Sequence, residues 1–100
     1  MKSKKAIPLS EAVKAFLDTS KVGERIEEAA VVPEWAERVG PAIAAVTVPL
    51  RVNRGTLLVG VRSSAWLMEL NVMEAEIVRR INAGRQRGRL SRIRFVMLAE

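Results

Sequence analysis

The chain has 100 residues, 49% of them apolar, with 17 Lys plus Arg against 11 Asp plus Glu for a net charge of +6. That length holds one domain with a modest core. It has no Cys, no His and no Tyr, and Asp18 is the only Asp, which excludes disulfides, thiol redox chemistry, thiolate or imidazole metal sites and most catalytic constellations. The composition points to a binding module and not an enzyme, with no metal and no cofactor.

Met1 to Lys5 is basic, but no apolar stretch follows it as a secretory signal requires. The longest apolar runs, such as Ala42 to Val46, fall far short of the ~20 residues of a membrane span. The expectation is a cytoplasmic protein with a flexible basic N-terminus over residues 1–8 and a single domain over residues 9–100. Ser10 suits the cap of a helix whose apolar positions are Val13, Phe16 and Leu17, and the stretch from Thr19 to Gly23 ends it. A second helical stretch begins near Gly23 or Glu24 and places Ile26, Ala29 and Ala30 on one face. Pro33 should kink or restart it, because proline removes a helix donor and restricts Val32. Trp35 and Val39 then stand at i, i+4. Gly40-Pro41 is a further break, with Pro41 suited to open a short helix through Val46.

The apolar period now changes from 3.6 to 2. Val48, Leu50 and Val52 alternate with Pro49, Arg51 and Asn53, and Leu57, Val59 and Val61 alternate on a return strand. Asn53-Arg54-Gly55 supplies the tight turn between them. Pro49 cannot donate to a ladder and belongs at a strand start or on an edge. Ser63 or Ser64 caps the next helix, on which Trp66, Leu70, Met73, Ile77 and Ile81 form one continuous face, with Glu76 and Arg80 as an i, i+4 pair. Gly84 ends that helix. A basic loop runs from Gly84 to Arg89, and a last strand covers Ser91 to Leu98, with Ile93, Phe95 and Met97 on one face and Arg92 and Arg94 on the other. The order α-α-β-β-α-β predicts an α+β domain with helices packed on one face of a three-stranded sheet.

Charge divides along the chain. Residues 1–50 carry 7 basic and 7 acidic groups, whereas residues 51–100 carry 10 Arg and 4 Glu. Arg79, Arg80, Arg85, Arg87, Arg89, Arg92 and Arg94 fall in one stretch without an acidic residue between them. Arginine holds phosphate bidentately, and a helix end, a loop and a strand face can present such groups to one nucleic-acid backbone. The plainer reading is a solvated basic surface, with Arg79 and Arg80 complementing a helix C-terminus. The aromatic residues Phe16, Trp35, Trp66 and Phe95 all fall on apolar faces and read as core, so nucleic-acid contact should be electrostatic and weakly sequence-selective. Gly84 and Gly88 have nearly the spacing of a Gly-x-x-Gly backbone clamp, but a helix C-cap and a turn account for both. Glu27, Glu28, Glu34 and Glu37 form an acidic run that reads as a solvated helix face, or as a dock for a basic surface. No phosphate-binding glycine loop is present, which excludes an ATPase.

Five ordered segments carry a resemblance. They are Trp35-x-x-x-Val39-Gly40, Ile43-Ala44-Ala45-x-Thr47-x-Pro49, Gly55-x-Leu57-x-Val59, Ser63-Ser64-Ala65-Trp66-x-x-Glu69-Leu70 and Ile93-Arg94-Phe95. Together they resemble the DciA family from about Leu9 to the chain end, and the Ser-Ser-Ala-Trp segment is the most specific. The resemblance implies a KH-like fold on a mixed sheet, in which Trp35, Val39, Gly40, Pro49, Gly55, Ser63, Trp66 and Leu70 are structural motif positions. It also implies a bacterial DNA-replication role as an ATP-independent loader that binds the DnaB-type replicative helicase and single-stranded DNA. On this reading no membrane and no small-molecule substrate is a partner, and a second copy of the chain is a further candidate. Trp66 is expected in the core. The alternative is a KH-like RNA-binding module acting on structured or ribosomal RNA through the same arginines, or a pure protein adaptor.

Overall fold

A computed structural model describes residues 22–98; the helix expected from Ser10 and the basic residues 1–8 lie outside the described residues. The elements are α1 (Val22–Ala29), α2 (Val31–Val39), α3 (Pro41–Val46), β1 (Thr47–Asn53), β2 (Thr56–Val61), α4 (Ser64–Val72), α5 (Glu74–Asn82) and β3 (Arg92–Met97). The architecture is α+β in the predicted order, with each helical stretch subdivided. The first subdivision falls at Ala30. Pro33 thereby sits in the first turn of α2, where an amide has no intrahelical partner, so its missing N–H costs nothing there. Gly40 makes the next turn at φ 92°, donating its N–H to the Ala36 carbonyl, and Pro41 opens α3.

The sheet has the order β1-β2-β3, with β1 antiparallel and β3 parallel to the central β2, so it is mixed. Asn53 pairs with Thr56, and the two residues between them, Arg54 and Gly55, have φ of 51° and 82°. Positive φ at both central positions is the type I′ turn that matches strand twist. Arg54 pays a steric cost there that Asn largely escapes. Arg54→Asn is therefore expected to raise stability by about 0.5–1 kcal/mol, seen as a higher urea midpoint at unchanged slope.

Pro49 lies on the edge strand β1, as expected, but β1 does not alternate evenly. A bulge at Leu50 shifts the register between Pro49 and Arg51. Thr47 and Pro49 pair with the buried Val61 and Val59, and Val52 pairs with the buried Leu57. The core face of β1 is thus Thr47, Pro49 and Val52, and not Val48, Leu50 and Val52. The extra residue changes the parity of the strand and leaves Leu50 44% exposed.

Leu57, Val59, Val61, Ile93 and Phe95 supply the sheet's share of the core; Val31, Trp35, Val39, Ile43, Leu70, Ile77 and Ile81 supply the helices' share. Trp35 is held by a polar relay as well as by packing. Its indole N–H donates to Thr47 Oγ1 at 2.8 Å, and the Thr47 hydroxyl donates to the Ile43 carbonyl at 2.7 Å. Those two bonds tie α2, α3 and β1 together inside the core.

Two expectations about the helices need correction. Ile26 and Ala29 are exposed on α1, and Glu28 is buried. The long third helix is two helices. It breaks at Met73 (φ −91°, ψ 5°), whose N–H is shared between the Glu69 and Leu70 carbonyls at 3.1 and 3.0 Å. The break sets Glu74 at the start of α5, where its carboxylate accepts the Ile93 N–H at 2.9 Å and pins the beginning of β3. Leu70, Ile77 and Ile81 of the predicted face are buried; Trp66 and Met73 are half-buried. Ser63, not Ser64, is the cap of α4, accepting from the Trp66 N–H at 3.4 Å.

Candidate functional site

The arginine-rich segment between α5 and β3 is fastened to the helices. Asn82, buried at the end of α5, accepts the Leu90 N–H on Oδ1 at 2.7 Å and donates Nδ2 to the Leu90 carbonyl at 2.9 Å. Both backbone groups of the buried Leu90 are thus met by one amide side chain. Arg85 turns inward. Its side chain is only 7% exposed and donates to Glu34 Oε1 at 3.2 Å, to the Gly88 carbonyl at 3.3 Å and to the Glu27 carbonyl. Gly88 has φ 66°, and a Cβ there would stand 2.5 Å from Glu27 Cβ and 2.6 Å from the Glu27 backbone carbon. Gly84, at φ 79°, makes the turn out of α5. Both glycines are accounted for by backbone geometry, without a phosphate clamp.

The acidic run is therefore more than a solvated face. Glu34 pairs with Arg85 and, at 3.6 Å, with Arg38, so α1 and α2 dock the chain's own loop. The remaining predicted arginines spread over two sides. Arg79 and Arg80 lie on α5 in the helical layer, and Arg80 donates to Glu76 Oε2 at 2.7 Å and to the Val39 carbonyl at 3.5 Å. Arg87 and Arg89 are exposed in the loop, and Arg89 donates to the Asn82 and Arg85 carbonyls at 3.3 and 2.8 Å. Arg92 and Arg94 lie on the face of the sheet opposite the helices. Arg92 is 62% exposed and stands 4.0 Å from Glu74; Arg94 is exposed and has no ion pair among the described residues.

A residue outside the linear cluster joins them. Arg51, Leu58 and Arg94 are register partners across the three strands, and Thr56 and Arg92 are partners in the adjacent row. The signal for Arg51 is strand alternation combined with the strand order; a count of neighbours along the chain cannot find it.

A second surface is apolar. A groove of about 600 Å³ lies between the α2–α3 turn and the first turns of α4, lined by Val39 to Ile43, Ala65, Trp66, Glu69, Met73 and Arg80. Trp66 is a wall of this groove and not a core residue, which corrects the expectation of full burial. On the same helix α4, Met68 is 73% and Val72 84% exposed. Helix α4 carries apolar side chains on opposite sides: Leu70 enters the core while Met68 and Val72 stand exposed among Glu69 and Asn71, an outward apolar pair of the kind that a partner covers. Among the described residues no group of three His, Cys, Asp or Glu could hold a metal ion, and no helix is long and apolar enough to cross a membrane.

Comparison with known proteins places these features in a family. The chain is similar to a UPF0232 protein of Mycobacterium leprae, 36% identical over 59 residues that cover 59% of this chain and 31% of that relative. It is 32% identical to a UPF0232 protein of Mycobacterium tuberculosis over 76 residues, covering 76% of this chain and 41% of that relative. A UPF0232 protein of Mycobacterium ulcerans matches at 33% over 58 residues, or 58% of this chain and 31% of that one. These stretches amount to 31% to 41% of the relatives' own length. The family described as "Dna[CI] antecedent, DciA" matches residues 8–95. That span takes in the Trp35–Thr47 relay, the hairpin, the Ser63-capped helix and both register partners of Leu58, and on it the chain belongs to the DciA family.

Proposed function

We propose that the chain is a DNA-replication accessory protein that binds the DnaB-type replicative helicase and single-stranded DNA and assists helicase loading without hydrolysing ATP. The observation that carries this reading is the exposed apolar side of α4. Trp66 lines the groove, and Met68 and Val72 are exposed on the same helix, whose Leu70 is already in the core. A monomer gains nothing by leaving such a surface in water, whereas a protein partner removes it from water at roughly 25 cal/mol per Å². Family membership supports the choice of partner, since the family is linked to loading of that helicase. The surface arginines supply contact with DNA phosphates. None of the proposed steps is catalytic; the chain acts by binding.

The test is co-elution of the chain with the replicative helicase of the same organism, at moderate salt and without nucleotide. A complex is expected. Met68→Asp combined with Val72→Asp should abolish it while leaving thermal unfolding nearly unchanged, because both side chains are exposed in the chain itself. A complex that survives both changes would move the helicase contact elsewhere. Competition between single-stranded DNA and RNA of equal length separates the loader from the RNA-binding alternative.

A further inference from the structure

We infer that single-stranded nucleic acid runs across the open face of the sheet, its phosphates held by Arg51 and Arg94 on either side of Leu58. This rests on the reading that the chain binds single-stranded DNA, and it gives that binding a place that the linear arginine cluster does not.

Three observations carry it. First, the register puts Arg51, Leu58 and Arg94 in one row across β1, β2 and β3. Two strand spacings of about 4.8 Å separate the backbones of the two arginines by about 10 Å, and both residues lie on the face that none of the described helices covers. Neither has an ion pair among the described residues, in contrast to Arg80 and Arg85. Arg92 and the exposed Arg54 at the hairpin tip extend the positive charge toward the turn end of the same face. Second, the charges of the domain are segregated by layer. Glu24, Glu27, Glu28, Glu34, Glu37, Glu69, Glu74 and Glu76, which are all the acidic residues among the described residues, lie in helices, and no strand contains one. A polyanion approaching the sheet therefore meets arginine with no carboxylate carried by the strands, and among the described residues only Arg92 of the sheet's arginines stands near one, Glu74 at 4.0 Å; one approaching the helices meets both signs. Third, the far end of the face is closed. A Cβ on Gly60 would stand 2.4 Å from Leu98 Cδ2, so Leu98 covers Gly60 and leaves the row through Leu58 as the exposed part.

The site recognises the sugar-phosphate backbone. Leu58 is half-buried and apolar, able to support a sugar or a base, and among the described residues no aromatic side chain stands on this face to stack on bases. Little difference between oligo-dT and oligo-dA is expected.

The experiment is titration of the full chain with fluorescent oligo-dT at several salt concentrations. Each phosphate neutralised on a single strand contributes about 0.7 to the slope of log K against log salt. Arg51→Gln with Arg94→Gln should shallow the slope by about 1.4 and weaken binding about 25-fold at 0.1 M salt. Arg51→Lys with Arg94→Lys should restore most of both, because the contact requires charge. If the wild type binds steeply and the Gln variant matches it in slope and affinity, the sheet face is not the site, although the chain still binds DNA. If the wild type does not bind even at low salt, the DNA-binding reading fails and this site with it. Preference for oligo-rU with the same loss in the Gln variant would keep the site and overturn the DNA assignment.

Discussion

Trp35→Ala is expected to destabilise the domain by about 3–5 kcal/mol, roughly a fifth or more of the ~5–15 kcal/mol that holds a domain together. Trp35 is 2% exposed and sits where α2, α3 and β1 meet. Truncation removes the largest side chain of the core and leaves a cavity that three separate elements would have to move to fill. The polar relay adds a term that volume alone does not predict. Thr47→Val keeps the shape of residue 47 but leaves both the Trp35 indole N–H and the Ile43 carbonyl without their partner, in a buried site. That should cost about 1–3 kcal/mol for each group left unmet. Trp35→Phe keeps the Thr47–Ile43 bond and loses only the indole contact, so it should fall between wild type and Ala. Urea midpoints of the three variants check the ordering. A Thr47→Val protein as stable as wild type would remove the relay from the account and leave packing alone. Trp66 offers the contrast. It lines the groove half-exposed, so its truncation should lower stability less than that of Trp35 and should show instead in helicase binding.

The two tryptophans also mark what a sequence can and cannot convey. Both stand at helical spacing from aliphatic neighbours, and nothing in the spacing separates the buried one from the half-buried one. What separates them is that α4 carries apolar residues on opposite sides, Leu70 inward and Met68 and Val72 outward, so its own periodicity does not say which side the core takes. The hairpin was legible because Gly55 and the alternating valines are local signals. The bulge at Leu50 was not, since neither Gly nor Asn marks it, and missing it inverted one face of β1. The break at Met73 has no local breaker either; Glu74 reaching the Ile93 amide is a tertiary contact, and it competes with one continuous helix. The arginine cluster shows the same limit in charge. No acidic residue interrupts residues 79–94 along the chain, yet Glu34, 51 positions before Arg85, meets it in space. Arg51 comes from outside the cluster to join Arg94 only through the strand order. Packing and cap residues have more local signals: Gly40 and Gly55 stand at positive φ, Ser63 at the cap, and Trp35, Val39 and Leu70 in the core.

Asn82→Ala should be the next most damaging change, at about 2–4 kcal/mol. Its amide is the only described partner of the Leu90 N–H and carbonyl, and both are buried. Alanine would strand a donor and an acceptor together, at a point where water must enter the core edge to satisfy them. Asn82→Asp tests the pairing directly. It retains an oxygen for the Leu90 N–H but sets a second carboxylate oxygen against the Leu90 carbonyl, so it should also destabilise. A simple volume effect would leave it near wild type. The loss should appear first as fast hydrogen exchange at the Leu90 amide, because the loop is the segment that the side chain fastens. The two ends of the loop then differ in kind. At the Leu90 end the fastening is a neutral, buried amide pair that salt cannot screen. At the Arg85 end it includes an ion pair with Glu34, which is 38% exposed and also within reach of Arg38, so salt weakens it. Raising salt should accordingly speed exchange around Arg85 and Gly88 while leaving Leu90 protected. Uniform acceleration across the loop would mean that it opens as one unit and that Asn82 is not an independent clamp. The distinction bears on the sheet, since β3 begins at Arg92, two residues after Leu90. A clamp that holds in salt keeps Arg92 and Arg94 in register with β2 under conditions in which the loop's own arginines have loosened.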